Sequence, residues 1–446
     1  MNNTVHIVGA GLAGCEAAWQ VAKRGYEVNL YEMRPKKQTP AHHTELFAEL
    51  VCSNSLRADR LTNAVGLLKE EMRQMDSLIM KAADTCAVPA GGALAVDRVK
   101  FSEFITKKIK EHPLINVINE EVIDIDKEKL TIIAAGPLCS EELANSLKEL
   151  VEEEYLHFFD AAAPIVTKES IDFSKAFYGA RYEEDSTDYI NCPMNKEQYQ
   201  EFYNQLINAE VQEMKEFEEI NIFEGCMPIE EMANRGEKTL LFGPLKPVGL
   251  SNDNCDTFHA VVQLRQDNKE GTLYNLVGFQ TRLKWPEQKR VFRLIPGLEK
   301  AEFVRLGVMH RNTFINSPAL LLPTGQLKAF DNILIAGQIS GVEGYVESAA
   351  SGLICGINVT LVLEDKRTLN WPIETAHGSL MNYITTSVKK DFQPMNITFG
   401  LIPPLEERIR KRKEKRLKIS IRALKSLEEF IKEEKINEIG EVADNV

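Results

Sequence analysis

Gly9-Ala10-Gly11-Leu12-Ala13-Gly14 sets three glycines at the spacing GxGxxG, and the chemistry that spacing serves is the cradling of a dinucleotide pyrophosphate. Gly9 permits a tight turn, Gly11 lets backbone approach the phosphates, and Gly14 allows a helix to close on a strand. The helix N-terminus adds its positive dipole end. Glu32 follows some 20 residues on, where a carboxylate holds both ribose hydroxyls of an adenosine. Arg34 is a candidate for the same adenosine, with a solvated side chain as the alternative. A purely structural Gly-rich turn is the plain reading of the loop, and the position of Glu32 argues against it.

These residues need a βαβ unit to hold them. Residues 5–8 (VHIV) read as the first strand, 15–24 as the helix and 27–31 (EVNLY) as the second strand. Helical spacing runs through Val65, Leu68, Met72, Met75 and Ile79, predicting one helix over 63–81. The turn-rich 88–97 precedes a helix at 98–111, and strands are expected near 115–118 and 130–135, the latter stopping at Gly136-Pro137. The parallel sheet pauses there. Residues 137–324, with a helix at 196–218 and many Gly-Pro turns, read as an insertion, and the sheet resumes at 331–336 before a small-residue helix at 345–362. The partition is 1–136 with 325–365 for the nucleotide domain, 137–324 for the insertion or substrate domain, and 366–446 for a C-terminal extension.

The 130–137 and 333–337 stretches resemble the central and last strands of two-domain flavoproteins. That resemblance points to FAD rather than NAD and makes Gly337 and Gly344, ahead of the 345–362 helix, candidate cofactor contacts. The expected fold class is α/β, an FAD-binding Rossmann-type domain of the two-dinucleotide-binding-fold kind, with a mixed α+β insertion domain. No second GxGxxG occurs in a strand-helix setting, so NAD(P)H is expected to dock transiently.

Composition bounds the rest. The 446 residues exceed one compact core. Eight scattered cysteines without a CxxC pair imply neither a zinc site nor a disulfide framework, so no metal is expected and most of the thiols read as small buried hydrophobes. The chain opens without a basic leader and has no uninterrupted apolar run of the roughly 18 residues a membrane span needs, so a cytoplasmic protein without a membrane partner is expected. A net charge of −13 disfavours non-specific nucleic-acid binding over the whole surface. Residues 408–416 (RIRKRKEKR) are the local exception, with seven basic residues of nine on a helix expected over 404–434. They form either a phosphate-binding stripe or a solvated face whose other side (Leu417, Ile421, Leu424, Phe430) packs on the body.

Seven strings make a family resemblance: ELVCSNSLR (49–57), NAVGLLKEEMR (63–73), VPAGGALAVDR (88–98), FEGCMPIEEMA (223–233), GPLKPVGL (243–250), MHRNTFINSP (309–318) and AGQISGVEGYVESAASGL (336–353). As a set they closely resemble the folate- and FAD-dependent tRNA (uracil-5-)-methyltransferases, the TrmFO family. The resemblance implies transfer of a one-carbon unit from 5,10-methylenetetrahydrofolate, with reduced FAD as go-between and NAD(P)H as reductant, to C5 of uridine 54 in the tRNA T-loop. It places the two family cysteines at Cys52 and Cys226.

Uracil C5 is a feeble nucleophile, and a thiolate adding at C6 turns the ring into an enolate able to attack an electrophilic carbon. Cys226, ahead of a helix first turn at Pro228-Ile229-Glu230-Glu231, is the expected nucleophile. Cys52 is expected near the flavin, shielding the one-carbon adduct or accepting the C5 proton. His310 and Arg311 are candidates for folate or flavin contact, or for structural hydrogen bonds.

Two departures from the family pattern bear on the RNA. Arg181-Tyr182 is followed by Glu183-Glu184-Asp185 where an Asp-Lys-Gly turn is usual, and Gln280-Thr281-Arg282 stands for Gln-Thr-His. A uridine of 23S rRNA is therefore the nearest alternative substrate. Less favoured are a GidA-type wobble-uridine enzyme working with a GTPase, usually a longer chain, and a non-catalytic flavin-dependent RNA-binding or redox module.

Overall fold

The computed structural model describes residues 4–39, 41–151, 156–161, 163–182, 186–212, 227–250, 258–307, 309–387 and 392–436, the side chains of 156–161 and 309–312 excepted. A six-stranded sheet organises the first core. Its order is Gln326–Leu327, Phe330–Ile335, Thr131–Ile133, Thr4–Val8, Glu27–Tyr31, Ile115–Ile118, all parallel except the outermost Gln326–Leu327. Thr4–Val8 is covered on both faces, as its central place requires: Val5 and Ile7 on one face are fully buried in the main apolar cluster, and Val8 on the other packs with Ile133 and Ile335.

Two helices cover this sheet at the cleft, Leu12–Ala22 and Tyr345–Leu363, and their backbones touch. A Cβ at Gly352 would lie 2.2 Å from the Ala13 carbonyl oxygen, and one at Gly356 would lie 2.8 Å from that of Ala17. The small residues read in the sequence at 345–362 are thus a packing requirement. Against the expectation of no span-length apolar stretch, Tyr345–Leu363 is long and apolar enough to cross a membrane, but 89% of its apolar window is buried inside the protein.

The helix expected over 63–81 is two helices, Ala64–Gln74 and Leu78–Thr85. Apolar periodicity carries across the break. Asp76, however, takes a left-handed φ of 62°, and Ser77 starts a new helix by accepting from the Met80 N–H, its hydroxyl donating to the buried Glu16 carboxylate at 2.7 Å. The turn-rich 88–97 carries two short strands, Ala87–Val88 and Ala93–Val96, which pair with each other, the second also pairing with Ser55–Ala58.

A second apolar core spans residues 163–301. It lies on a sheet ordered Phe177–Tyr178, Tyr189–Met194, Ala260–Gln266, Leu273–Leu276, Ile165–Thr167, Phe303–Arg305, antiparallel throughout. The helix expected at 196–218 runs Lys196–Ile207, opened by an Asn195 capping box; residues 213–218 lie outside the described residues. Beyond it, Met309–Phe314 pairs with Leu156–Ala161.

The C-terminal helix is Arg412–Glu433 rather than 404–434; the residues from Pro403 to Lys411 lie outside it. Its buried face is Ile419, Ser420, Ala423 and Leu427. Leu417 and Ile421, expected to pack, are 40% and 57% exposed.

Candidate active site

The glycine loop leaves the central strand at Val8 and enters the helix at Leu12. Gly9 has φ +101°, and a Cβ there would meet the Ala134 carbonyl oxygen at 2.6 Å; a Cβ at Gly14 would stand 1.8 Å from the Gly9 oxygen. Gly11 has nothing within 4 Å. Two glycines therefore build the turn, and the third faces free space. That space is a cleft of about 1040 Å³, open to solvent, whose walls include Gly9, Gly11, Glu32, Gly337, Tyr345 and Ser348. Its lining by the glycine loop and Glu32 and its convergence on a helix N-terminus suit a dinucleotide. Leu12, Ala13 and Arg34 also line it, whereas Ala10 is fully buried and contributes its N–H to Glu32 at 3.0 Å.

Glu32 follows directly on the second strand, as the spacing requires. Its carboxylate accepts from the N–H of Ala10, the N–H of Arg34 (3.1 Å) and the Arg34 guanidinium at 2.9 and 3.2 Å. Burial pushes this carboxyl up, but the hydrogen bonds and charge of Arg34 outweigh it and hold the group below the usual range. Arg34 is itself buried, donating to the Thr44 and Leu46 carbonyls. It is a wall residue rather than a solvated one. His42 beside it is pushed down to about 4 by burial and then by the Arg34 charge, which keeps that part of the cleft free of imidazolium at neutral pH.

Gly337 (φ +81°) follows the last parallel strand and donates its N–H to the Ser351 hydroxyl at 2.7 Å. Gly344 (φ +105°) caps the helix Tyr345–Leu363, where a Cβ would collide with Glu347 and Asn396. Gly337 lines the cleft, whereas Gly344 is not among its lining residues and reaches it only through the next residue, Tyr345.

Cys52 adjoins the same cleft through its neighbour Val51 and through Tyr345. The Tyr345 hydroxyl accepts from the Cys52 N–H at 2.7 Å and the Ser53 N–H at 3.4 Å. Three arginines grip the loop. Arg98 donates to the Leu50 carbonyl and pairs with Asp267 at 2.9 Å; Arg305 donates to the Val51 carbonyl; Arg265 donates to Ser53 Oγ at 2.8 Å and Asn54 Oδ1 at 3.2 Å. Asn54 returns a bond to the Gln266 carbonyl at 2.9 Å. All three guanidiniums act electrostatically on Cys52. Burial pulls Arg265 and Arg305 below their ordinary values, whereas for Arg98 the same penalty is more than offset by Asp267. Cations around a thiol favour the thiolate, the form that acts as a nucleophile.

None of Arg98, Arg265, Arg305, Asp267 or Tyr345 stands out in the sequence as a partner of Cys52. All five lie on other segments, and Arg98 and Tyr345 are visible only as parts of family strings.

Cys226 and the Glu183-Glu184-Asp185 run lie outside the described residues, as do the side chains of His310 and Arg311. The turn after Cys226 is described. Ile229–Asn234 is a short helix whose Ile229 N–H donates to the Gln280 carbonyl at 2.7 Å. Buried Glu230 accepts from Thr281 Oγ at 2.8 Å and the Arg282 N–H at 2.7 Å, and Glu231 pairs with Arg282. The departure at Gln280-Thr281-Arg282 therefore serves to brace the segment behind Cys226. Cys15, Cys192 and Cys355 are fully buried and Cys86 nearly so, with burial raising each thiol. Half-buried Cys139 lines the cleft and is pushed up to about 11. Among the described residues no cluster of three or more His, Cys, Asp or Glu could hold a metal.

Residues 4–367 match the family model described as glucose inhibited division protein A. A methylenetetrahydrofolate–tRNA-(uracil-5-)-methyltransferase TrmFO of Acetivibrio thermocellus is 61% identical over 97% of this chain and 99% of its own length. Those of Listeria monocytogenes and Bacillus licheniformis are 60% and 59% identical, each over 97% of this chain and 100% of their own. The chain belongs to the TrmFO family. Aquifex aeolicus GidA has the same fold at a TM-score of 0.71 and 17% identity, the match covering 99% of this TrmFO chain and 74% of that protein. The α/β flavoprotein class expected for a TrmFO chain is the class observed.

Proposed function

We propose that the protein transfers the one-carbon unit of 5,10-methylenetetrahydrofolate to C5 of a uridine in tRNA, at position 54 of the T-loop, with FAD bound in the cleft and NAD(P)H as reductant. The observation that carries this reading is the cleft itself, which runs from the glycine loop to Tyr345 and the arginine-held Cys52 loop. Gly9, Gly11 and Gly14 shape the pyrophosphate seat, Glu32 with Arg34 forms the adenosine end, and Gly337 and Gly344 turn backbone toward the other end. FAD, when bound, supplies the two-electron relay between NAD(P)H and the one-carbon unit. A carbon at the formaldehyde level needs one hydride equivalent to become methyl, and NAD(P)H provides it.

Cys226 adds as thiolate to uracil C6, C5 bonds to the one-carbon unit, and the C5 proton leaves. The bond from the one-carbon unit to its donor nitrogen breaks to leave a methylene on C5, the hydride equivalent from NAD(P)H turns it into methyl, and the Cys226–C6 bond breaks to restore the ring. Cys52, in its cationic loop, is suited to hold or move a proton beside the reacting carbon. A cytoplasmic setting, as expected from the sequence, agrees with a tRNA substrate.

Labelled methylenetetrahydrofolate, FAD and NADPH offered with tRNA and 23S rRNA fragments in separate reactions test the reading. Label at C5 of the T-loop uridine is expected, and Cys226→Ala should keep its flavin and lose transfer. Label entering only rRNA would move the substrate, and label arriving from S-adenosylmethionine would end the folate reading.

A further inference from the structure

We propose that residues 408–418 form a cationic arm that clamps the phosphate backbone of the RNA substrate outside the reacting loop; the identity of that RNA rests on the function proposed above. The arm is electrostatically placed against its own stability. A helix N-terminus favours anions, yet Lys411 occupies the N-cap without a side-chain capping bond, and Arg412 and Lys413 follow in the first turn with Glu414 as its one acid. Lys411 with Lys415, Arg412 with Arg416 and Arg412 with Lys415 are like charges at i,i+4 and i,i+3, each costing about 0.2–0.5 kcal/mol. Among the described residues Glu407 answers only Lys418, at 2.9 Å, and Glu406 pairs with none of these cations. Among the described residues Arg408, Arg410, Lys411, Arg412, Lys413 and Lys415 enter no ion pair.

The arm also stands off the body. Residues 410–415 are all exposed, and the first buried positions are Ile419 and Ser420, where Ser420 Oγ donates to the Leu61 carbonyl. Successive residues turn about 100° around the helix, so Arg412, Lys413, Lys415 and Lys418 point to all sides. An interfacial membrane helix needs a continuous apolar face opposite its cations, and between 410 and 418 the single apolar residue is Leu417. Cations on every side suit a surface of phosphates.

Its base is tied to the cleft. Arg416 lies on the Phe399 ring, 5.5 Å from the centroid. Two residues before Phe399 the Ile397 N–H donates to Glu347 at 2.9 Å, in the first turn of the helix Tyr345–Leu363 that begins at the cleft. RNA gripped by the arm is thereby held on the side where the cofactor helix begins.

The test measures tRNA binding by the full-length flavin-loaded protein across a potassium chloride series, for the unmodified chain and for Arg412→Gln/Lys413→Gln/Lys415→Gln. The slope of log affinity against log salt is expected to fall by about two to three, at about 0.7–0.9 for each phosphate that is no longer neutralised, with at least a tenfold weaker Kd at low salt. The KM for tRNA should rise, while the melting temperature stays the same or increases as like charges leave the helix start. An unchanged slope and KM would overturn the proposal, as would loss of binding to phosphatidylserine vesicles with tRNA binding intact. One-carbon transfer by the unmodified chain separates the two readings. Transfer without an arm effect removes only the arm, and an arm effect on tRNA binding without transfer removes only the enzyme assignment.

Discussion

The glycine loop at 9–14 and the Cys52 loop at 50–54 face one cleft, but they are built in opposite ways. The first is made from its own sequence: Gly9, Gly14 and the adjoining strand and helix lie within a few residues of each other. The second has almost no structure of its own. Its carbonyls and side chains are held by Arg98, Arg265 and Arg305, two of which come from the second sheet. A nucleotide seat can be written locally because its chemistry is backbone chemistry. A tuned thiol needs charges, and charges arrive from elsewhere in the fold.

The largest effect should come from closing the local turn. Gly14→Ala puts a Cβ against the Gly9 oxygen, which cannot yield as a side chain would, and should cost about 3 kcal/mol or more and empty the flavin site. Urea unfolding and flavin absorbance after purification check it. Gly11→Ala sharpens the contrast, since with free space around it the fold should keep its stability and only flavin retention should weaken.

Next comes the long-range clamp. Asp267→Ala leaves the Arg98 charge buried without its carboxylate and should cost about 3 kcal/mol, and Asp267→Asn, which keeps shape and a hydrogen-bond acceptor but not the charge, should recover only a small part of it. The two together distinguish loss of charge from loss of shape in denaturant titrations. Flavin bound by the glycine loop should survive Asp267→Asn.

The smallest effect is that of Glu32. Its carboxyl is held below the ordinary range, so its stabilisation is complete above the unfolded value of about 4.3 and is lost as pH falls through the folded one. Acidification from pH 6 to pH 3 should therefore destabilise the unmodified chain more than Glu32→Gln. Equal losses would show that the Arg34 contact stabilises nothing.

How much of this is legible in the sequence follows the same division. The βαβ unit, the Gly337 turn and the small-residue helix can be read because each is a short-range pattern of glycine and apolar spacing. The single helix expected over 63–81 fails because periodicity survives a break that Glu16, a distant buried acid, helps to cap. Leu417 and Ile421 are exposed against expectation because the buried face runs through Ile419, Ser420, Ala423 and Leu427, and at about 100° per residue both turn away from it. Cys52 is reached through family strings, yet its arginines are not, since nothing in a sequence pairs Val51 with Arg305. Gln280-Thr281-Arg282, singled out in the sequence only as a departure bearing on the RNA, also braces Glu230 and Glu231, a contact that no spacing announces.

One measurement bears most directly on the idea that a loop without structure of its own is set for chemistry by charges from the second sheet. It is the rate of Cys52 alkylation by iodoacetamide at pH 7, mapped by mass spectrometry, in the flavin-loaded chain and in Arg305→Gln. The expected result is a several-fold slower reaction at Cys52 in Arg305→Gln with flavin content unchanged. An equal rate in both, with the flavin retained, would contradict it.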